Sequence, residues 1–579
     1  MVTKVLVANR GEIAIRIFRA CREMGIATVA VYSDIDRNAL HVDYADEAYF
    51  LGDTAPSASY LNIPRILDVA RRSEADGVHP GYGFLAENAG FASAVVEAGL
   101  TWIGPPAEAI EAAGDKLSAR RIAERAGVPS VPGSKDPISG PEPIAPFAEQ
   151  HGWPVALKAA KGGGGRGFRV VRSAGEAQGA FESATREAEL SFGSSEVYME
   201  RYLENPRHIE IQILADQQGN TVYLGERDCS LQRRHQKLLE ESPSPVLTPE
   251  VRRAMGEAAV SFAREVGYHS AGTVEFLYEE GDEGPRFFFL EMNTRLQVEH
   301  PVTELVTGVD LAQAMIRIAE GRPLGFTQDD VTLRGHAIEC RINAEDPTSD
   351  FLPNPGTIGG YQEPGGPGVR VDAGARAGTV IPASYDSLIS KLICYGADRD
   401  EAIRRTLRAL DEYRIEGLVT TIPFHRLVMA SPWFAEGRFS TKTIENELDL
   451  SELDAAAAGL AGAGPSTPRR VSLELDGKRF EVRFTELSTF QKKPKPPEAS
   501  SRSAAGAGDT LTAPMQGTIV KILHAKGDRV KAGEPILVLE AMKMENQIVC
   551  HVDGVVTDIK VRPGQTVPVG AELAVVEAV

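Results

Sequence analysis

Lys4-Val-Leu-Val-Ala-Asn-Arg-Gly-Glu-Ile-Ala-Ile-Arg-Ile-Phe-Arg-Ala-Cys opens the chain with an apolar run, a short turn and a segment whose apolar residues recur every three or four positions. The run predicts a buried strand, and the periodic segment predicts an amphipathic helix. A second apolar run, Ala27 to Tyr32, continues the alternation. We therefore expect a doubly wound parallel sheet over roughly the first hundred residues. Because no G-x-G-x-x-G turn follows the first strand, a dinucleotide site is not predicted.

Length, composition and charge limit the classes of protein to which the chain can belong. At 579 residues it exceeds what one hydrophobic core usually supports, so several domains are expected. Its 42% hydrophobic and 25% charged residues are typical of a folded globular protein, and its net charge of -19 argues against nucleic acid or an anionic membrane as a partner. Five cysteines without a C-x-x-C pair predict reduced thiols, and no apolar run approaches the roughly 20 residues of a membrane span. We expect a cytoplasmic protein.

A glycine-rich loop lies in the central part of the chain, where strand-like segments dominate. Lys161-Gly-Gly-Gly-Gly-Arg-Gly-Phe-Arg-Val-Val follows the apolar strand Pro154 to Ala159. Consecutive glycines let backbone N–H groups approach a polyphosphate, and Lys158 and Arg166 supply positive charge. The loop is not a P-loop, because no G-K-[ST] ends it. It predicts a mobile lid over a nucleotide, the alternative being a flexible surface loop.

Two carboxylates are predicted to face each other across a hairpin. Val274-Glu-Phe-Leu and Phe289-Leu-Glu-Met-Asn have the pattern of strands, and a symmetric turn about residue 283 places Glu275 opposite Glu291. Opposed like charges destabilise a sheet unless a cation neutralises them, and Asn293 shares the face of Glu291. Such oxygen ligands suit magnesium that bridges nucleotide phosphates. The alternative is a pair of exposed strand glutamates.

Charged segments near this hairpin are candidates for anion binding. Thr294-Arg-Leu-Gln-Val-Glu-His-Pro offers Arg295 as an anion ligand and Glu299 as a general base. The run from Glu226 contains a basic cluster, Arg233, Arg234, His235 and Lys237. Arg341 follows further along the chain. In a protein of net charge -19 these residues favour an anion site over the alternative, which is solvated surface charge.

The C-terminal part begins with two linker-like stretches and a hairpin. Residues 455–468 and 491–509 are rich in Ala, Gly, Pro and Ser. Between them, an alternating apolar and polar run flanks Asp476-Gly477, which predicts a β-hairpin at 470–485. A lone hairpin is marginally stable in water, so we expect this one to pack on another domain or on a partner.

From residue 517 the sequence repeats itself after 37 residues. The shift superposes Gly517, Ile522, Gly527, Val530, Gly533, Val538 and Glu540 on Gly554, Ile559, Gly564, Val567, Gly570, Val575 and Glu577. Two β-rich halves with glycines at matching turns predict a pseudo-symmetric flattened barrel or sandwich. Ala541 to Val549 must then form the turn that joins the halves, which places Lys543 at an exposed tip. Taken alone, Lys543 is an ordinary surface lysine, but at a tip its amine is open to amide modification.

Ala541-Met-Lys-Met inside this repeat, with Ala513-Pro-Met ahead of it, closely resembles the biotinyl domain. Lipoyl domains share the fold, but their modified lysine usually sits in Asp-Lys-Ala, so the methionines favour biotin. The resemblance implies that a biotin protein ligase attaches biotin covalently to Lys543.

The preceding part of the chain resembles the biotin carboxylase family as far as about residue 447. The resemblance is carried by Val5-Leu-Val-Ala-Asn-Arg-Gly-Glu-Ile-Ala, His79-Pro-Gly-Tyr-Gly-Phe-Leu-Ala-Glu-Asn and Gly335-His-Ala-Ile-Glu-Cys-Arg-Ile-Asn. With the biotinyl domain added, the chain looks like the alpha subunit of an acyl-CoA carboxylase of the acetyl-CoA or propionyl-CoA type.

The resemblance implies an α/β multidomain fold. A doubly wound N-terminal domain, an ATP-grasp central domain and an α+β C-terminal biotin carboxylase domain would precede a small all-β biotinyl domain. The implied boundaries are 1–114, then 115–325 with a lid at about 130–203, then 326–447, then 448–510 for the linkers with the hairpin at 470–485, and finally 511–579.

The resemblance also implies a role for each candidate residue. The matches to nucleotide-binding positions are Lys116, Lys158, Gly164, Gly165, Glu200, Leu203, His208, Gln232, His235 and Glu275. The matches to the positions that bind Mg²⁺ or Mn²⁺ are Glu275, Glu291 and Asn293. Lys237, Arg295 and Val298 match bicarbonate positions, Glu299 matches the base that deprotonates bicarbonate, and Arg341 matches the residue that holds biotin.

The implied reaction is ATP-dependent carboxylation of biotin by bicarbonate, with carboxybiotin on Lys543 carried to a second active site. Nothing in the chain resembles a carboxyltransferase, so a separate beta subunit is expected, and the acceptor acyl-CoA stays open. Related biotin carboxylases commonly form homo-oligomers. The alternatives are another ATP-grasp ligase that joins a carboxylate to an amine, and a non-catalytic biotin-carrier scaffold. Bicarbonate-dependent ATP cleavage stimulated by free biotin separates the three.

Overall fold

The structure is a computed structural model that describes most of the chain, and it divides into two units. The described residues are 1–134, 136–159, 168–192, 194–281, 284–450, 453, 470–475, 478–483, 510–514, 517–541, 544–567 and 570–578. The first unit consists of Met1–Ala344, Gly356–Ile381 and Leu388–Leu448, and the second of Glu345–Pro355, Pro382–Ser387 and Asp449–Val579.

The predicted doubly wound sheet forms at the N-terminus. Its elements are β1 (Lys4–Val7), α1 (Gly11–Glu23), β2 (Ala27–Ser33), α2 (Leu40–Tyr44), β3 (Glu47–Gly52), α3 (Ile63–Arg72), β4 (Gly77–His79), α4 (Ala89–Glu97), β5 (Thr101–Trp102) and α5 (Ala107–Gly114). The strands pair in the order β3-β2-β1-β4-β5, and each pair is parallel. The order reverses at β1, as in other doubly wound sheets.

The next segment supplies a small three-stranded sheet and most of a larger one. Its elements are α6 (Lys116–Arg125), α7 (Ile144–His151), β6 (Val155–Ala159), β7 (Phe168–Val171), α8 (Ala177–Phe192), β8 (Val197–Arg201), β9 (Arg207–Ala215), β10 (Thr221–Arg233), β11 (Gln236–Ser242), α9 (Pro249–Glu265), β12 (Ser270–Gly281), β13 (Gly284–Asn293), α10 (His300–Thr307) and α11 (Leu311–Ala319). The small sheet has the order β7-β6-β8. The predicted glycine loop connects β6 to β7, and residues 160–167 of it lie outside the described residues.

The large sheet continues into the third segment. The elements there are β14 (His336–Asn343), β15 (Glu345–Asp346), β16 (Leu352–Pro353), β17 (Gly356–Thr357), β18 (Gly360–Gln362), β19 (Val369–Ala373), β20 (Val380–Ile381), β21 (Leu388–Gly396), α12 (Arg399–Glu412), β22 (Arg414–Glu416), α13 (Ile422–Ala430), α14 (Pro432–Ala435) and α15 (Thr443–Asn446). The strand order is β13-β12-β9-β10-β11-β14-β21-β19, and β11 pairs with β14 from Leu239 opposite Cys340 to Ser242 opposite Ala337. One sheet therefore spans the predicted boundary near residue 325.

Helix α1 packs the N-terminal sheet against the large sheet. Ile17 and Phe18 on its apolar face are fully buried and share one hydrophobic cluster with Val5 of β1, Leu214 of β9 and Met315 of α11. This packing fixes the N-terminus of α1 inside the first unit, close to the charged residues described below.

The C-terminal repeat folds as two matching halves. Its strands are β25 (Thr510–Thr512), β26 (Gly517–Ile522), β27 (Arg529–Val530), β28 (Pro535–Ala541), β29 (Met544–Val549), β30 (Gly554–Ile559), β31 (Thr566–Val567) and β32 (Glu572–Ala578), which follow β23 (Arg470–Leu475) and β24 (Lys478–Arg483). The bounds of β26, β27 and β28 recur after 37 residues in β30, β31 and β32. Two four-stranded sheets, β25-β32-β30-β27 and β29-β28-β26-β31, enclose one apolar core. The predicted pseudo-symmetric sandwich is confirmed. The predicted turn over Ala541 to Val549 is wrong in extent, because Met544–Val549 forms strand β29 and pairs with β28.

Glycine is required at matching places in the two halves. A Cβ atom on Gly517 would lie 2.5 Å from the carbonyl oxygen of Glu540, and one on Gly554 would lie 2.2 Å from that of Glu577. Backbone approaches this close admit no side chain. The repeated glycines therefore mark shared geometry rather than chance.

Two further sequence predictions concern hairpins and membrane spans. Strands β23 and β24 pair antiparallel from Arg470 opposite Arg483 to Leu475 opposite Lys478, which confirms the hairpin, although Asp476 lies outside the described residues. Across the described ranges, no helix combines the length and apolarity needed to cross a membrane.

Candidate active site

Of the charged residues singled out from the sequence, His208 and Glu275 are buried in the large sheet and Lys237 and Arg341 are largely buried there, whereas Arg234 and His235 are exposed. In β9, polar His208, Glu210 and Gln212 alternate with apolar residues and share one face. All nine residues of β9 are buried. Polar groups in such surroundings must be paired inside the protein. The site is therefore built from internal ion pairs and not from solvated surface charge.

Lys237 lies among three carboxylates. Its Nζ donates hydrogen bonds to Glu210 Oε2 at 2.6 Å, to Glu299 Oε1 at 2.8 Å and to Glu275 Oε1 at 2.9 Å. Burial disfavours the ammonium, but the three carboxylates outweigh this effect and raise the pKa of Lys237 well above its ordinary value. Lys237 is a fixed positive charge at this position.

Glu299 lies between two cations. One carboxylate oxygen accepts from Lys237, and the other accepts from Arg341 Nη2 at 2.8 Å. Burial by itself would raise the pKa of Glu299, but Lys237, Arg341 and Arg227 hold it well below its ordinary value. Glu299 also precedes α10, whose N-terminal N–H groups favour an anion. Glu299 is therefore an anion that accepts hydrogen bonds from two cations.

Arg341 is anchored by Glu240 as well as by Glu299. Its Nε donates to Glu240 Oε1 at 2.6 Å, and burial, which lowers its pKa, is outweighed by the two carboxylates. Its carbonyl oxygen accepts from Thr421 Oγ1 and His425 Nε2, both at 2.8 Å. Backbone and side chain of Arg341 are both fixed, so its guanidinium occupies a defined place.

Arg295 lies at the edge of this group. Its Nε donates to Glu87 Oε2 and its Nη2 to Asn293 Oδ1, each at 2.8 Å. Burial works against the charge of Arg295, but Glu87 and, more weakly, Glu299 raise its pKa. Val298, the neighbouring candidate, directly precedes Glu299 and is half-buried.

The predicted pair of opposed carboxylates is confirmed. Glu275 lies directly opposite Glu291 in the β12–β13 pairing, and Asn293 follows opposite Thr273. A bulge follows at once, because Phe276 pairs with Phe289 and leaves Leu290 as an extra residue. Symmetry about residue 283 therefore located the pair but not the bulge.

The donor set at this hairpin fits a hard divalent cation. Burial opposes ionisation of Glu275, but Lys237 and His208 lower its pKa, so Glu275 is an anion. Together with the Glu291 carboxylate and the amide of Asn293, it offers the oxygen ligands that Mg²⁺ prefers. Asn293 is 7% exposed, and its Nδ2 has no hydrogen-bond partner among the described residues.

The candidate nucleotide residues lie on the small sheet and beside the charged group. Lys158 of β6 forms an ion pair with Glu200 of β8, and Leu203 is buried in a small apolar cluster. His208 Nε2 lies 3.0 Å from Glu275 Oε2. Three candidates are outside the described part in whole or in their side chains, namely Lys116, which begins α6, and Gly164 and Gly165.

The turn between β10 and β11 is strained. Gln232 pairs with Lys237 across it, and the turn contains Arg234 and His235, whose φ angles are 49° and 64°. Left-handed backbone in two consecutive residues gives the two-residue turn that matches strand twist. Non-glycine residues in this conformation cost roughly 1–2 kcal/mol each, and such strain is concentrated at functional sites.

Sequence reasoning missed the partners that hold these residues. Arg227 is fully buried and donates to Glu210, to Gln212 Oε1 at 2.6 Å and to Thr303 Oγ1 at 2.9 Å. Glu240 was missed as well. The alternation of charged with apolar residues in β9 is the signal that could have identified Glu210, whereas nothing local distinguishes Arg227 from the other basic residues of its run.

Four family models match successive parts of the chain. They are described as "Biotin carboxylase, N-terminal domain" for residues 1–110, "Carbamoyl-phosphate synthase L chain, ATP binding domain" for 115–327, "Biotin carboxylase C-terminal domain" for 339–446 and "Biotin-requiring enzyme" for 509–576.

Known proteins match over the same regions. The alpha3 subunit of a biotin-dependent acyl-coenzyme A carboxylase from Mycobacterium leprae is 47% identical over 599 residues, which cover 99% of this chain and 98% of that subunit. Biotin carboxylase 1 from Bacillus subtilis is 54% identical over 445 residues, which cover 77% of this chain and 98% of that protein.

Solved structures agree with these matches. A biotin carboxylase complex with β,γ-ATP from Campylobacter jejuni has a TM-score of 0.72 and 45% identity, and the match covers 77% of this chain and 99% of that one. The biotin carboxylase domain dimer of 2-oxoglutarate carboxylase from Hydrogenobacter thermophilus, in complex with MgADP, ADP and bicarbonate, has a TM-score of 0.70 and 48% identity, with 78% and 100% covered.

These matches decide between the interpretations left open by the sequence. They cover both the ATP-binding part and the biotin-requiring part, so a different ATP-grasp ligase and a non-catalytic carrier are set aside. The chain is a ligase with biotin carboxylase activity. It belongs to the family of biotin carboxylases that carry their own biotin-carrier domain, the alpha subunits of biotin-dependent acyl-CoA carboxylases.

Proposed function

We propose that this chain uses ATP and bicarbonate to carboxylate a biotin on Lys543, with Glu299 as the base, and delivers the carboxyl group to a separate carboxyltransferase subunit. The observation that carries the proposal is the position of Glu299, an anion in direct contact with Lys237 and Arg341. Lys237, Arg295 and Val298 are the proposed bicarbonate residues, and Arg341 is the proposed biotin residue.

Binding of bicarbonate would activate Glu299 as a base. In the resting site, two cations hold the pKa of Glu299 low, which makes it a poor proton acceptor. An anion that binds to Lys237 competes with Glu299 for that ammonium, so the proton affinity of Glu299 rises when its substrate arrives. Glu299 then takes the bicarbonate proton, and the bicarbonate oxygen attacks the γ-phosphorus of ATP. Carboxyphosphate forms and ADP leaves.

The remaining residues position reactants and offset charge. Lys158, Glu200, Leu203, His208, Gln232 and His235 are proposed to line the nucleotide site together with Lys116, Gly164 and Gly165. Glu275, Glu291 and Asn293 would hold Mg²⁺, which would supply positive charge to offset that of the nucleotide phosphates. Lys237 is a cation and lies beside Glu275. Its charge would help to offset the negative charge of the phosphoryl group during transfer.

Arg341 is proposed to hold biotin next to the base. Biotin, when bound, supplies the ureido nitrogen that receives the carboxyl group. The guanidinium is always charged. Its planar N–H groups can donate hydrogen bonds to the ureido oxygen, where negative charge develops. Because Arg341 contacts Glu299 in the resting site, biotin and bicarbonate would both draw cations away from the base.

The similarity to relatives supports further proposals for the partner, the location and the acceptor. We propose a carboxyltransferase beta subunit that takes acetyl-CoA or propionyl-CoA, a biotin protein ligase that modifies Lys543, a homo-oligomer formed through the biotin carboxylase part, and a cytoplasmic enzyme. The Mycobacterium leprae relative is an acyl-CoA carboxylase subunit, and the Hydrogenobacter thermophilus structure is a dimer. The confirmed hairpin β23–β24 is a candidate for docking the beta subunit.

One experiment tests the proposal as a whole. Protein captured on avidin from native cells is assayed for bicarbonate-dependent ATP cleavage and for ATP-dependent incorporation of labelled bicarbonate into a panel of acyl-CoAs and pyruvate. Incorporation into acetyl-CoA or propionyl-CoA is expected. Failure of capture would refute the carrier assignment, and incorporation only into pyruvate would refute the acyl-CoA assignment.

Replacing Lys237 by methionine is expected to reduce kcat/KM for bicarbonate by about 10²–10³-fold, the usual effect of losing one preorganised charge donor. Three buried carboxylates would lose their common cation, so a lower unfolding temperature is also expected. The measurements are ATP cleavage against bicarbonate concentration and thermal unfolding. A variant with wild-type bicarbonate kinetics would contradict the proposed role of Lys237.

A further inference from the structure

A lysine outside every assigned site binds the backbone next to the base. Lys391 of β21 is fully buried, and its Nζ donates a hydrogen bond of 2.7 Å to the carbonyl oxygen of Val298. The two residues are 93 positions apart in the chain. A buried ammonium is unfavourable unless it is paired, so its position calls for specific partners.

The carbonyl of Val298 belongs to the peptide unit that leads into Glu299. Because a peptide unit is planar, fixing this carbonyl also fixes the N–H and the Cα of Glu299. The hydrogen bond from Lys391 therefore sets the backbone from which the Glu299 side chain starts. It also sets the orientation of Val298, which is a proposed bicarbonate residue.

The partner of Lys391 on the other side comes from the N-terminal domain. Glu12, at the start of α1, places Oε1 at 3.5 Å from Lys391 Nζ and accepts a hydrogen bond from the hydroxyl of Tyr82. The Glu12 side chain is 4% exposed. The ammonium of Lys391 also lies 5.9 Å from the centre of the Tyr82 ring. Tyr82, Glu12, Lys391 and Val298 thus form one chain of contacts.

Other acidic groups near Lys391 do not replace Glu12. Asp372 pairs with Lys391 across β19 and β21, but its carboxylate is held by Arg370 through two hydrogen bonds. Glu339 is fully buried, neither of its carboxylate oxygens has a hydrogen-bond partner among the described residues, and burial raises its pKa well above the ordinary value. Among the described residues, Glu12 is the carboxylate that forms an ion pair with Lys391.

We propose that Lys391 and Glu12 are positioning residues for bicarbonate, which act by holding the peptide between Val298 and Glu299 in place. The inference rests on the proposed function, because it takes Val298 and Glu299 as the bicarbonate residues. Neither Lys391 nor Glu12 is assigned to touch ATP, so their loss should affect one substrate and spare the other.

The first test is Lys391→Met, which keeps most of the length of the side chain and removes its charge and donors. The expected result is a bicarbonate KM raised about ten-fold or more with an ATP KM within about two-fold of wild type, since only uniform binding of bicarbonate is weakened. A merely structural defect would change both KM values.

Glu12→Gln is the second test, because it preserves shape and leaves an oxygen to accept from Tyr82. It keeps the inference testable if Lys391→Met fails to fold. Glu241→Gln is the matched control, since Glu241 is an equally buried glutamate that instead binds His336 and Arg399. The control is expected to lower the unfolding temperature without changing either KM.

The pH dependence of Glu12→Gln provides an independent readout. Burial raises the pKa of Glu12 to about 7, although Lys391 opposes the shift, and Asp372, Arg370 and Tyr82 are the other groups that face it. At pH 6 wild-type Glu12 is mostly protonated and neutral, as glutamine is, so the bicarbonate KM values of variant and wild type should agree. At pH 8 Glu12 is an anion, and the variant KM should be about five-fold higher.

The outcomes separate this inference from the proposed function. A wild-type enzyme without bicarbonate-dependent ATP cleavage would overturn the proposed function. The inference alone would be overturned by an active wild type whose variants shift the bicarbonate and ATP KM values together, or by a Glu12→Gln variant whose bicarbonate KM relative to wild type is the same at pH 6 and pH 8.

Discussion

Replacing Glu299 by glutamine is expected to lower bicarbonate-dependent ATP cleavage by about 10²–10⁴-fold, the range of general-base contributions. Glutamine has nearly the same shape, but it cannot accept the bicarbonate proton. It also removes the anion that balances Lys237 and Arg341 in a buried place. The loss should appear in kcat, because proton removal belongs to the chemical step, and it should persist at saturating bicarbonate.

Two comparisons make the Glu299 result specific. Glu299→Asp retains a carboxylate and should recover part of the lost rate, while Glu241→Gln should cleave ATP like wild type. Avidin capture of Glu299→Gln should be unchanged, because biotin is attached in another domain. Activity of Glu299→Gln within about three-fold of wild type would reject Glu299 as the base.

Replacing Lys543 by arginine is expected to abolish biotin attachment and to leave the biotin carboxylase reaction intact, which is the reverse of the result expected for Glu299→Gln. Arginine keeps the positive charge but cannot form the amide with biotin, so avidin capture and incorporation of labelled bicarbonate into acyl-CoA should both be lost. Carboxylation of free biotin should stay within about two-fold of wild type, because the biotin carboxylase residues are untouched. Strands β28 and β29 pair up to Ala541 and Met544 on either side of Lys543, which itself lies outside the described residues.

Lys531→Arg is the matched control for Lys543→Arg, because it changes an exposed lysine of the same domain in the same way. It should be captured on avidin and should support acyl-CoA carboxylation like wild type. If Lys543→Arg were still captured, the biotin would have to be attached elsewhere, and the assignment of Lys543 would be wrong.

Local pattern was sufficient where sequence neighbours fold onto one another. The shift of 37 residues predicted the two halves of the C-terminal domain, whose strands recur at the same offset. Alternation about a short turn predicted Glu275 opposite Glu291. In both cases the partners are close in sequence, so periodicity and turn position determine the pairing.

Contacts between distant segments were beyond local pattern. Lys391 reaches Val298, and Glu12 reaches Lys391, only because α1 and β21 are brought together by the tertiary fold. The extension of the large sheet through β14 was missed for the same reason, since strand order is set by packing and not by local periodicity. Resemblance to a family supplied the roles of the site residues, which periodicity could not.

The continuous large sheet bears on how the enzyme can be divided. A polypeptide that ended near residue 325 would leave β11 as an open edge, with unpaired backbone groups where β14 now lies. Glu240 and Glu241 would also lose Arg341, His336 and Arg399, the cations and the imidazole that now bind them. Open edges invite pairing with other copies. The nucleotide-binding segment expressed alone should therefore aggregate, and the smallest soluble catalytic piece should extend to about residue 448, where the first unit ends.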